Sequence, residues 1–198
     1  DKQIPYLNDS EILCALTRWT ASVGDAHTRT GYSPTRIYPL AMYWFEEGIY
    51  VTHTAPGYDF LLNARLEGVY GKSINNVVEN LRPLISHENE YLFREEIPRI
   101  LISPEIMHGV NLSLQPDKVV YNFRTTEEKL VDAPVYSCPE KIERFLGVGP
   151  VGADRPLYTQ EKSSFYWFKY MKSYKTLYLQ YNICEENPAF PHKELIET

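Results

Sequence analysis

The segment Val23-Gly24-Asp25-Ala26-His27-Thr28-Arg29 gathers an imidazole, a carboxylate two residues before it and a hydroxyl directly after it. Imidazole is the side chain whose ordinary pKa lies nearest neutrality, so one held in a fixed tautomer can take a proton and return it. Asp25 or Thr28 would supply that orientation. Read alone, the heptapeptide fits a histidine in a surface turn better than a catalytic one.

Other reactive side chains are more isolated. Ser163-Ser164 lack the tight glycine-flanked turn that exposes a nucleophile, and Cys184-Glu185-Glu186 has no histidine beside it to lower the thiol pKa. Ser163 therefore reads as a polar strand or loop residue and Cys184 as a buried thiol. His53, His87, His108 and His192 stand apart, without metal-ligand spacing, so neither a metal nor a cofactor is expected. Lys162, Lys169, Lys172 and Lys175 alternate with aromatic residues, which could form a stacking platform for a single nucleic-acid strand. Lysines blunting the edge of a hairpin are the simpler reading.

The chain has 198 residues, 43% of them apolar and 23% charged, with a formal net charge of −6. An acidic chain with a pI near 5.4 is a poor partner for a phosphate backbone, so nucleic acid is not expected. No apolar run is long enough for a membrane span and no signal peptide is visible; the first residues, Asp1-Lys2-Gln3, look like a cut within a longer chain. Three distant cysteines offer no closed disulfide framework. Sixteen tyrosines fit half-covered strands, or, more sharply, a sugar-binding surface.

These residues need elements to position them. Asn8 and Glu11 have the form of a capping box, after which Ile12, Leu13, Leu16, Trp19 and Val23 recur at helical spacing and Gly24 closes the helix. Residues 38–45 and 49–54 read as a hairpin around Glu46-Glu47-Gly48, followed by a short strand over 66–70. Ser73 caps a helix that Pro83 ends, residues 86–101 are helical, and Ser103-Pro104 starts another helix. Residues 110–114 and 119–123 read as a second hairpin. Residues 125–158 are loop-rich, with a domain boundary inside them, and residues 165–171 and 176–181 form a third hairpin.

Gly24-Asp25-Ala26-His27-Thr28, closing a helix, resembles the Gly-Asp-Gly-His-Thr signature of the tail-specific (C-terminal processing) and tricorn-like serine peptidases. Leu66 to Lys72 resembles the stretch ending in Ile-Asn-Gly-Lys of that superfamily's PDZ-like region. Ser86-His87-Glu88-Asn89 resembles the Ile-Ser-x-Glu-Asn that follows, and Tyr166-Trp167 with Leu177 to Asn182 resembles the strand pair entering the catalytic core. Two departures stand out: Ala26 replaces a glycine, tolerable unless the position needs positive φ, and Val69-Tyr70-Gly71 replaces Ile-Asn-Gly.

The resemblance implies an α+β protein in three parts: an N-terminal helical segment over 1–36 carrying the histidine motif, a mixed PDZ-like α/β region over 37–130, and the start of a crotonase-like catalytic domain over 131–198. It implies His27 as general base for a serine, Asp25 and Thr28 as orienting groups, and Asn182 facing a substrate cleft. Peptides or proteins would be the substrate. The serine falls beyond Thr198, so this portion alone should not hydrolyse peptides. The resemblance also implies an extracytoplasmic location. The competing reading is a non-enzymatic peptide- or glycan-binding module or an inactive family member. Nothing in the sequence bears on oligomeric state.

Overall fold

Asn8 opens helix α1 (Asp9–Ala21) with a reciprocal pair of bonds. Its Oδ1 accepts from the Glu11 amide at 3.0 Å, and Glu11 Oε2 accepts from the Asn8 amide at 2.9 Å. Two N–H groups that lack intrahelical partners are thereby satisfied. The computed structural model describes residues 6–139, 145–147 and 155–197. The chain is α+β and divides into two units, 1–148 and 149–198.

In the first unit the chain order after α1 is β1 (Arg36–Ile37), β2 (Leu40–Phe45), β3 (Gly48–Thr54), β4 (Arg65–Val69), β5 (Lys72–Ser73), α2 (Ile74–Leu81), α3 (Glu90–Leu101), α4 (Pro104–Gly109), β6 (Lys118–Arg124), β7 (Leu130–Tyr136), β8 (Cys138–Pro139) and β9 (Leu146–Gly147). The main sheet is antiparallel in the order β2-β3-β4-β6-β7, with β5 on β4 and β9 on β3, while β1 pairs with β8. Alternation puts Leu40, Met42, Ile49, Val51, Val119, Tyr121 and Phe123 inward. They meet Val77 and Leu81 of α2, Phe93 and Ile97 of α3, and Met107 of α4. Tyr121 is wholly buried and donates its hydroxyl to Leu101 O at 2.6 Å, which removes the cost of sequestering that group.

Three sequence expectations change. Residues 110–114 are not a strand but the close of α4. The Val110 N–H donates to Ile106 O at 3.1 Å, Asn111 adopts φ 57°, and the Leu112 and Ser113 amides both reach Met107 O. Val110 and Leu112 alternate in burial because they seal a helix end. The partner of β6 is instead β7, in register from Lys118↔Tyr136 to Arg124↔Leu130, within the stretch expected to be loop-rich. On α1 the buried residue is Cys14, while Leu16 and Trp19 of the apolar series are exposed. Cys14 faces α4 where Gly109 lets two backbones meet: a Cβ there would lie 2.3 Å from Ser10 O and 2.6 Å from Cys14 Sγ.

The second unit holds a hairpin of β10 (Tyr166–Met171) and β11 (Thr176–Tyr181), in unbroken register from Tyr166↔Tyr181 to Met171↔Thr176, and the short helix α5 (His192–Glu197). Tyr166 and Tyr181 stack at 5.7 Å, with the His192 ring 4.7 Å from Tyr166. Cys184, expected to be buried, is exposed.

Candidate functional site

The loop after α1 is built around Asp25. Its Oδ2 accepts from the Thr28 hydroxyl at 2.6 Å, its Oδ1 accepts from the His27 amide at 3.1 Å, and its carbonyl accepts from the Thr28 amide at 2.9 Å. This is the local side-chain-to-backbone bonding that aspartate favours in turns. The Thr28 hydroxyl, and after it the His27 amide, hold the Asp25 carboxyl below the usual carboxylate range. Ser86 Oγ donates to Asp25 O at 2.5 Å and fixes the loop to the segment preceding α3. Gly24, at φ 77°, turns the chain out of the helix end, and Ala26 is not among the positive-φ residues, so alanine is accommodated there.

Asp25, His27 and Thr28 thus share one turn, yet Asp25 and Thr28 bond to each other and to the backbone. The His27 ring is exposed and has no hydrogen-bond partner among the described residues. Asn182 belongs to the second unit. There its Nδ2 donates to Glu161 O at 3.0 Å and Ser164 O at 2.9 Å, and its Oδ1 accepts from Gln180 at 2.6 Å, so its amide ties the hairpin end to the loop before it.

The other histidines have local partners. His87 Nδ1 lies 2.8 Å from Ile85 O, His108 Nδ1 lies 3.2 Å from Ser113 O, and His192 pairs with Glu186 at 2.7 Å. Among the described residues no group of three or more His, Cys, Asp or Glu side chains is placed to hold a metal ion. No described helix is long and apolar enough to cross a membrane.

A groove of about 980 Å3, which no motif in the sequence signals, lies between β2 and α3. Ala41, Met42, Tyr43 and Trp44 line it from the strand, and Tyr91, Arg94 and Pro98 from the helix. Successive strand side chains point to opposite faces, so four consecutive residues can border one cavity only where it runs along the strand's edge. Among the described residues that edge is unpaired, because β2 ends the sheet. Met42 faces Val51, whose N–H donates to Ala64 O and whose C=O accepts from Asn63 N, both on the far side of β3. Met42 is therefore in a non-hydrogen-bonded pair, with its own N–H and C=O directed at the groove. Trp44, two residues on, shares that orientation. Its ring lies 6.2 Å from Phe93, with the Arg94 guanidinium 5.4 Å from its centre.

No protein-family profile, curated protein or solved structure matches this chain.

Proposed function

We propose that the chain is the N-terminal, substrate-handling part of a serine peptidase, taking an extended peptide as an added strand on β2 of a PDZ-like region. The groove along the unpaired β2 edge carries this reading, because free backbone donors and acceptors beside a helix are what strand addition requires. The peptidase chemistry rests on the resemblance of Gly24 to Thr28. In that chemistry a serine attacks the scissile carbonyl. His27 accepts the serine proton and passes it to the leaving amine, and water then releases the acyl group. Asp25 and Thr28 contribute by holding the backbone that presents the ring.

The non-enzymatic peptide-binding module shares the groove and differs only in the role of His27. The His27 ring, with no hydrogen-bond partner among the described residues to fix its tautomer, favours this second reading. Fluorescence anisotropy with labelled heptapeptides tests the shared part. Peptides that bind should lose roughly three- to tenfold in affinity for each N-methyl group placed on an amide that pairs with β2, since each removes one backbone hydrogen bond. Affinity indifferent to N-methylation at every position would remove strand addition and the reading with it.

A further inference from the structure

A second cavity, of about 370 Å3, lies between the His27 loop and α3. Leu84, Ile85, Leu92 and Ile100 give it apolar walls, and Ala26, the residue before His27, forms part of its border. The Ser86 to Asp25 bond fixes the loop beside it. Three charged side chains line it: Arg29, Glu96 and Arg99. Arg99 pairs with Glu96 at 3.1 Å, whereas exposed Arg29 has no ion pair or hydrogen bond among the described residues. Arg99 also pairs with Glu95 at 2.9 Å, so among the charged side chains that line the cavity Arg29 is the one left without a counter-ion among the described residues.

We propose that this cavity is a subsite for one large apolar side chain of a peptide, with an acidic residue next to it in the peptide meeting Arg29. The inference rests on the peptide-binding reading above and adds a specificity to it. The volume lies at the small end of ligand cavities, suited to a leucine- or phenylalanine-sized group with a little of its backbone. A chain is favoured over a free small molecule by what adjoins the cavity. Arg99 lines both it and the β2 groove, so the two are neighbours across α3, and the exposed His27 follows Ala26. A peptide held in the groove has the cavity within reach of its next residues.

The test is nuclear magnetic resonance on the labelled 198-residue chain, with three capped probes: acetyl-Ala-Leu-Glu-Ala-amide, its Leu-to-Ser analogue and its Glu-to-Gln analogue. Capping removes both terminal charges, so any acidic preference comes from the side chain. The leucine probe should shift Ala26, Thr30 and Leu92 and bind about tenfold or more tighter than the serine probe, the scale on which an apolar pocket discriminates. The glutamine analogue should bind about two- to fivefold more weakly, as expected for an exposed charge. Ala26→Phe should fill the cavity and abolish these shifts. Thr17→Phe, which fills it from α1, must do the same, so that a disturbed loop cannot account for the loss. Shifts at Met42 and Trp44 alone would overturn the subsite and leave the groove standing. Shifts at Ala26, Thr30 and Leu92 with leucine preference but still Met42 and Trp44 signals would support the subsite as one that a four-residue probe fills without the groove. Equal binding of the leucine and serine probes, or shifts nowhere, would overturn the subsite.

Discussion

The two units solve the same problem, a hairpin with aromatic faces, in different ways. In the first, Leu40, Met42, Ile49 and Val51 of β2 and β3 belong to one core with residues of α2, α3 and α4, and side chains as large as Phe93, Tyr121 and Phe123 are completely buried. In the second, β10 and β11 are paired over their whole length, yet among that unit's described residues only Tyr166 is buried. Phe168, Leu177 and Leu179 remain exposed. Strand pairing runs along both hairpins, with one bulge between Ala41 and Met42 in the first, so the difference lies in apolar burial, which is the larger source of stability. The first unit is where a rigid site can be held.

The strongest way to break that contrast is at Phe93, which packs against Trp44 and His87 and lies under the Arg82 guanidinium at 3.9 Å. Phe93→Ala should cost about 3–5 kcal/mol, the range for emptying a buried aromatic site, read by urea denaturation from the signals of β2 and β6. A loss under 1 kcal/mol would mean that the core is far looser than its burial implies.

Gly109→Ala comes next. The added methyl group meets backbone on α1, so relief requires the helices to part, at about 1–3 kcal/mol for an overpacked contact. The change has its own reporter. Cys14 is buried, and burial pushes its thiol up to about 11 while Arg18 opposes the shift, so it should resist alkylation at neutral pH while exposed Cys184 reacts. In Gly109→Ala the alkylation rate of Cys14 should rise. An unchanged rate would show that α1 is not held on α4 at this point.

These contacts mark where the sequence was legible. Caps are local, so Asn8, Ser73 and Ser103 were readable from residues a few positions away, and each accepts an amide of its own helix. The hairpins over 40–54 and 166–181 were legible for the same reason. The partner of β6 was not, because Val110 and Leu112 mimic strand alternation while closing a helix. At the turn where Val69-Tyr70-Gly71 stands in place of Ile-Asn-Gly, Tyr70 and Gly71 both take positive φ, 48° and 75°, so asparagine would suit the first position and tyrosine sits there under strain. Of the candidate site, the His27 turn was readable from Gly24 to Thr28. The groove and the cavity were not, since both arise where α3 packs beside elements far away in sequence.

A smaller effect sets an exposed charge cluster against the buried core of the first unit. Arg65 and Arg124 stand directly opposite each other on β4 and β6, and Glu67 Oε1 accepts from Arg65 Nη2 at 2.7 Å and from Arg124 Nε at 2.9 Å. Partial burial of Glu67 works against its ionisation, but the bonds from Arg65 and then Arg124 outweigh it and hold the carboxyl below its ordinary range. Glu67→Gln leaves two cations facing each other. All three side chains are about a third exposed, so the expected cost is only about 1 kcal/mol, and it should shrink as salt screens the repulsion.

The smallest effect is confined to the candidate site and tests whether its turn depends on charge. The Asp25 carboxyl is held below its ordinary value of 3.8, first by the Thr28 hydroxyl and then by the His27 amide. A depressed folded-state pKa means that the stabilisation is complete above the unfolded value and is lost as pH falls through the lower folded one. The carboxyl-carbon signal of Asp25 should therefore hold its ionised position down to about pH 4 and complete its titration only below 3.8, while the β6 and β7 amide signals stay in place. Thr28→Ala removes the larger cause and should bring the Asp25 midpoint back toward 3.8, loosening the turn without touching the core. If Asp25 titrates at 3.8 or above in the unaltered chain, the bonds around it do not favour its charge, and the turn presenting His27 is held by its backbone and Ser86 alone.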